Sequence, residues 1–94
     1  MLDALPAFVQ AYKRTATFTE ATLPAGLQGR HNTREGVWAR IHVVRGEVLY
    51  RILEPAIEEH LLTPARDGLV EPTVPHQLEL RGPVDLFVEF FRRE

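Results

Sequence analysis

The sequence predicts an all-β domain, a sandwich or small barrel, on three observations. Short runs rich in β-branched and aromatic residues recur along the chain. Turn signals separate them at Pro24-Ala25-Gly26, Glu35-Gly36, Arg45-Gly46, Glu54-Pro55, Arg66-Asp67-Gly68, Pro72 to Pro75 and Arg81-Gly82-Pro83. No stretch keeps a long helical period. With 94 residues there is room for a single core, so residues 1–94 are read as one domain.

Residues 2–12 are expected to form a short helix or an arm covering the sheet. The clearest unit follows at residues 37–53, read as a hairpin turning at Arg45-Gly46. Val43 would face Val48, Ile41 Tyr50 and Ala39 Ile52 on a wholly apolar face. The opposite face mixes Trp38, Val44, Leu49 and Leu53 with Arg40, His42, Glu47 and Arg51, the pattern of a partly covered outer surface. Further on, His76, Leu78 and Leu80 share an inward strand face. The last strand, VDLFVEFFRR, sets Leu86, Val88 and Phe90 against Phe87 and Phe91 and reads as buried on both sides. Cover for that second side would come from the N-terminal segment or from a symmetric homodimer.

Composition removes several function classes. The net charge of −2 and a pI near 6.1 give no basic footprint for nucleic acid. No apolar run is long enough to cross a bilayer, and MLDALPAF lacks the charged start of a signal peptide, so a cytoplasmic protein with no membrane partner is expected. The chain contains neither cysteine nor serine, which excludes disulfides, thiolate metal sites and Ser or Cys nucleophiles. Lys13 is the only lysine, and nothing around it in the sequence suggests a pocket.

Histidine and carboxylate chemistry remain. His31, beside the lone asparagine Asn32, enters the predicted hairpin, and His76 opens a later strand after EPTVP; both lie at element ends, where a barrel mouth would be. Glu71 is placed to add a carboxylate, and two histidines with one carboxylate match in kind a facial metal triad. Blander roles compete: backbone hydrogen bonding for His31, a strand-start residue for His76, and a packed tryptophan for Trp38. His42 is read as a surface or interface residue and His60, in the run EEH, as solvated. AGLQGR is no phosphate loop, because the lysine and hydroxyl of that motif are missing.

The run AYKRTATFTEATLPAGLQGRHNTREGVWARIHVVRGEVLYRI, followed by LVEPTVPHQLEL and VEFF, resembles the TehB/YeaR-like domain of tellurite-resistance-related proteins over nearly the whole chain. Such domains are similar to small cupins, so the resemblance implies a double-stranded β-barrel of jelly-roll type. It implies pocket or motif positions at His31, Asn32, Thr33, Trp38, Glu71, Pro72 and His76, of which His31, Thr33, Trp38, Glu71 and His76 are the candidate ligand-binding residues. Against the cupin metal pattern, Thr33 stands at the second histidine position and Ala39 at the glutamate. The expected site is therefore either a metal-free two-histidine pocket for a small polar molecule or oxyanion, or an atypical site in which His31, His76 and Glu71 hold a divalent metal such as zinc or iron. Family members occur alone or ahead of an S-adenosylmethionine-dependent methyltransferase domain, and no such domain is expected within these 94 residues. A binding module in a tellurite or oxidative-stress setting is thus the expectation. A non-catalytic homodimeric assembly domain and a metal-dependent enzyme using His31 and His76 are the alternatives.

Overall fold

Two long strands organise the molecule. In this computed structural model, which describes residues 1–93, β3 (Val37–Ile52) and β6 (His76–Arg93) run antiparallel along nearly their whole length. Around them lie β1 (Val9–Arg14), β2 (Phe18–Thr19), the single helical turn α1 (Ala25–Gln28), β4 (Glu58–Leu62) and β5 (Gly68–Val70). The strands form one sheet along the path β1-β6-β3-β4, with β2 joined to β6 and β5 to β3.

The expected hairpin does not form. Residues 37–52 continue as one strand through Arg45-Gly46, and Ile41 pairs with Val88 and Tyr50 with Leu78 instead of with each other. A two-residue type I′ turn needs positive φ at both central residues, and type II′ needs it at the first. Gly46 has φ 81°, whereas Arg45 is not among the residues of positive φ. Arg-Gly therefore bends the strand without reversing it. Register shifts flank this bend, and burial changes from odd to even positions across it: Ala39, Ile41 and Val43 before, Val48, Tyr50 and Ile52 after. Such bulges shift side-chain parity and sharpen the local bend. Six residues read as one apolar face do share the core, but as two halves of a bent strand.

β6 bends opposite, at Gly82-Pro83, and packs so closely there that a Cβ on Gly46 would collide with the Pro83 carbonyl oxygen. The ribbon thus folds over itself into two layers. A Cβ on Gly68 would touch Ile41 from the first half of β3 and Tyr50 from the second. The Tyr50 hydroxyl donates a buried hydrogen bond to the Leu69 carbonyl at 3.0 Å. Burial, followed by the charges of Glu71 and Glu58, raises the phenol above its ordinary value.

The sheet is not closed as the expected barrel: β1 and β4 end its hydrogen-bonded path. Two bent strands enclose the core by folding over, so closure between first and last strands is not needed to exclude water. Residues 1–8 serve as the covering arm, not as a helix. Phe8 meets Trp38 edge to face at 5.7 Å, and Met1 packs against the core. Phe87 and Phe91 on the outer face are half-buried, and Phe87 lies between the His42 ring and the Arg14 guanidinium.

Candidate functional site

His31 and His76 meet. Their backbones exchange two hydrogen bonds, His31 N–H to His76 O at 2.9 Å and His76 N–H to His31 O at 2.8 Å, forming an isolated bridge at the edge of β6. A closely paired bridge sets side chains next to each other, and the two rings lie edge to face with centroids 5.3 Å apart. Tyr50 also meets His76 edge to face, at 5.6 Å.

The rings differ in state. His76 is buried, and its Nδ1 lies 3.0 Å from the Val74 carbonyl. A carbonyl only accepts, so Nδ1 carries the proton and Nε2 of the neutral ring keeps its lone pair. Desolvation holds the His76 pKa below its ordinary value; the Val74 hydrogen bond opposes the shift and the charge of His31 adds to it. The His31 Nδ1 is buried and, among the described residues, has no hydrogen-bond partner. A buried polar atom left unpaired costs about 1–3 kcal/mol, so it calls for an explanation.

Both rings line a cavity of about 40 Å³ between the layers, walled by Leu27, Ala39, Ile41, Val70, Leu78 and Val88 among others. By volume it admits a guest of a few heavy atoms, far below the usual metabolite pocket.

Thr33 also borders this cavity, but its hydroxyl is engaged: Oγ1 donates to the Val37 carbonyl at 2.7 Å. The Thr33 carbonyl accepts from Thr73 N–H at 2.9 Å. Thr33 therefore locks the 31–36 loop to the 71–75 loop, where Thr73 sits at φ 64°, a strained position for a β-branched residue. Glu71 is exposed and Trp38 lies on the outer face against Phe8, so neither joins the histidine pair. Among the described residues, no group of three histidine, aspartate or glutamate side chains is arranged to hold a metal ion. The donor set therefore does not fit the expected three-ligand centre of His31, His76 and Glu71.

Two other histidines are engaged on the surface. His42 Nε2 donates to Glu89 at 2.9 Å while its ring stacks on Phe87 at 4.5 Å. His60, expected to be solvated, is half-buried; its Nε2 donates to Glu58 at 3.1 Å and its Nδ1 accepts from Arg66 at 2.8 Å. That network escaped the sequence reading because Arg66 reaches His60 across the turn between β4 and β5.

A second cleft, of about 140 Å³, opens outside the first and shares His31, Thr33 and Phe90 with it. Tyr12, Lys13, Asn32, Arg34 and Val37 complete it. Lys13, passed over in the sequence, thus belongs to the rim of this site. No sequence signal marked it, because a register shift in β1 places it there.

The fold and the paired histidines define a small two-layered β-domain with a polar mouth over an apolar interior. The chain belongs to the TehB-like domain family, whose model matches residues 13–88. It is 33% identical over 72 residues to the probable S-adenosyl-L-methionine-dependent methyltransferase TehB of Haemophilus influenzae strain 10810, and 35% identical to that of strain ATCC 51907 / DSM 11121 / KW20 / Rd. These alignments take in 72% of this chain and a quarter of the relatives. The crystal structure of TehB from H. influenzae superposes with a TM-score of 0.85 at 27% identity, covering 93% of this chain and 32% of that one. A crystal structure from E. coli (strain K12) shares the fold over its full length, covering 100% of this chain and 99% of that one, with a TM-score of 0.88 at 22% identity. No helix among the described residues is long and apolar enough to cross a membrane.

Proposed function

We propose that this domain is a small-ligand binding module whose inner cavity takes a small polar or anionic molecule against His31 and His76, in a tellurite or oxidative-stress setting. The observation that carries the reading is the buried, unpartnered His31 Nδ1 beside a neutral His76. The His76 Nε2 acceptor, with the unpartnered His31 Nδ1 beside it at an apolar cavity, favours a compact polar guest that gives each nitrogen a partner, since an apolar wall rejects hydrated groups that find none. Methyl transfer is not carried over from the relatives, of which this chain spans only about a quarter.

The test is to follow the imidazole resonances of the folded chain by NMR during titration with small weak acids, tellurite, and zinc or ferrous ions. One probe should shift both His31 and His76, and His76→Gln should abolish the response at His31. Indifference of both rings to every probe would remove the reading.

A second reading, pairing of two copies, is supported by Ile57 and Leu61, which are 62% and 41% exposed beside or on the edge strand β4.

A further inference from the structure

We infer that the outer cleft is a separate anion-docking site, with Lys13 and Arg34 as its charged determinants and Asn32 as its neutral donor. The site extends the binding-module reading: it shares His31 with the inner cavity, while Lys13, Arg34 and Asn32 lie outside the histidine pair.

The backbone is arranged to bring these side chains together. Tyr12 and Lys13 are consecutive in β1, and in a regular strand consecutive side chains point to opposite faces. Here both line the same cleft. The cause is the register shift in β1, where Ala11 pairs with Phe91 but Lys13 with Phe90, leaving Tyr12 unmatched. A bulge that re-aims a side chain beside a cleft is a recurrent device at binding sites. From the facing loop, buried Thr33 anchors the chain through Val37, and its neighbours Asn32 and Arg34 both line the cleft.

The two cations of the cleft stand outside the ion pairs formed among the described residues. Arg30, Arg40, Arg45, Arg51 and Arg81 each pair with a carboxylate. Among the described residues, Lys13 and Arg34 have no carboxylate partner, and Lys13 holds its ammonium 5.2 Å above the Phe90 ring, which also lines the cleft. No acidic side chain lines the cleft. Two cations, an amide and a phenol around a cleft of about 140 Å³ suit a small oxygen-bearing anion, either an inorganic oxyanion or a short carboxylate.

The experiment is a ¹H–¹⁵N NMR titration of the full chain with sulfate, inorganic phosphate and acetate at constant ionic strength, chloride being the balancing ion. Amides of residues 32–34 should shift saturably with at least one oxyanion. Lys13→Ala and Arg34→Ala should each weaken binding about two- to fivefold, the range of a partly solvated ion pair. Arg81→Ala, at a cation outside the cleft, should leave it unchanged. Response to sulfate and phosphate alone assigns the site to inorganic oxyanions; response to acetate alone assigns it to carboxylates. Shifts that never saturate, or equal effects of Arg34→Ala and Arg81→Ala, would overturn the assignment. Loss of the His76 response with residues 32–34 still responding would remove only the inner-cavity reading.

Discussion

At position 76 an imidazole is packed among Tyr50, His31 and the apolar cavity wall, and its pKa lies below the ordinary value of 6.5 because burial disfavours the charged ring. In the unfolded chain the ring takes up its proton as pH drops through about 6.5, while in the folded chain it resists until lower pH. Its contribution to stability is therefore complete above pH 6.5 and is lost as pH falls from there through the folded pKa. Urea unfolding of wild type at pH 7.5 and 5.5 should show this loss, and His76→Gln should flatten the difference; equal pH dependence in both proteins would refute it. Glu20 and Glu58 leave that window undisturbed. Their lowered values, caused first by the Val84 N–H and by the terminal ammonium respectively, move their losses below about pH 4.5. At the neighbouring loop, Thr33→Val removes a buried donor from the Val37 carbonyl at nearly constant volume. The expected cost is about 1–2 kcal/mol in chemical denaturation. His31 and His76 were legible as candidates because His31 precedes a strand and His76 opens one, each beside a turn-rich segment. Lys13 and Arg34 were not, since their place in one cleft depends on a bulge and on the anchoring of Thr33.

Among the elements, the bend in the β3–β6 ribbon governs the two-layer form. Gly46→Ala would place a Cβ into the Pro83 carbonyl at positive φ, whereas Gly36→Ala, also at positive φ, meets open space. The first should destabilise by about 3 kcal/mol or more and the second by only about 1–2 kcal/mol, the cost of a left-handed L-residue alone. Thermal or urea unfolding of the two variants checks the order, and a reversed ranking would show that the close approach at Pro83 is not limiting. The same bend explains what the strand pattern concealed. Alternation identified Ala39, Ile41, Val43, Val48, Tyr50 and Ile52 as one apolar set, because burial requires it whether the strand turns back or merely bends. Partner choice was hidden, since an Arg-Gly pair marks irregularity without specifying its angle.

Over the whole molecule, the open sheet leaves edges at β1 and β4. Charged residues guard both: Lys13 and Arg14 on β1, Glu58 and Glu59 on β4. Ile57 and Leu61 interrupt that protection beside and on β4. If this surface joins two copies, sedimentation equilibrium will show reversible association that Ile57→Lys weakens while the unfolding free energy of the monomer stays within about 0.5 kcal/mol of wild type. A monomer throughout the accessible concentration range would exclude the second reading.

What the sequence by itself determined follows from local chemistry. The absence of cysteine and serine limits reactivity, alternation marks the faces to be buried, and turn residues mark where strands cannot run straight. The tertiary structure alone decided that β3 pairs with β6 instead of with itself, that the sheet stays open, and that His31 reaches His76 while Glu71 does not. These outcomes rest on contacts between residues far apart in the chain. Apolar burial is non-directional, so an alternating pattern requires a face to be covered without naming the strand that covers it.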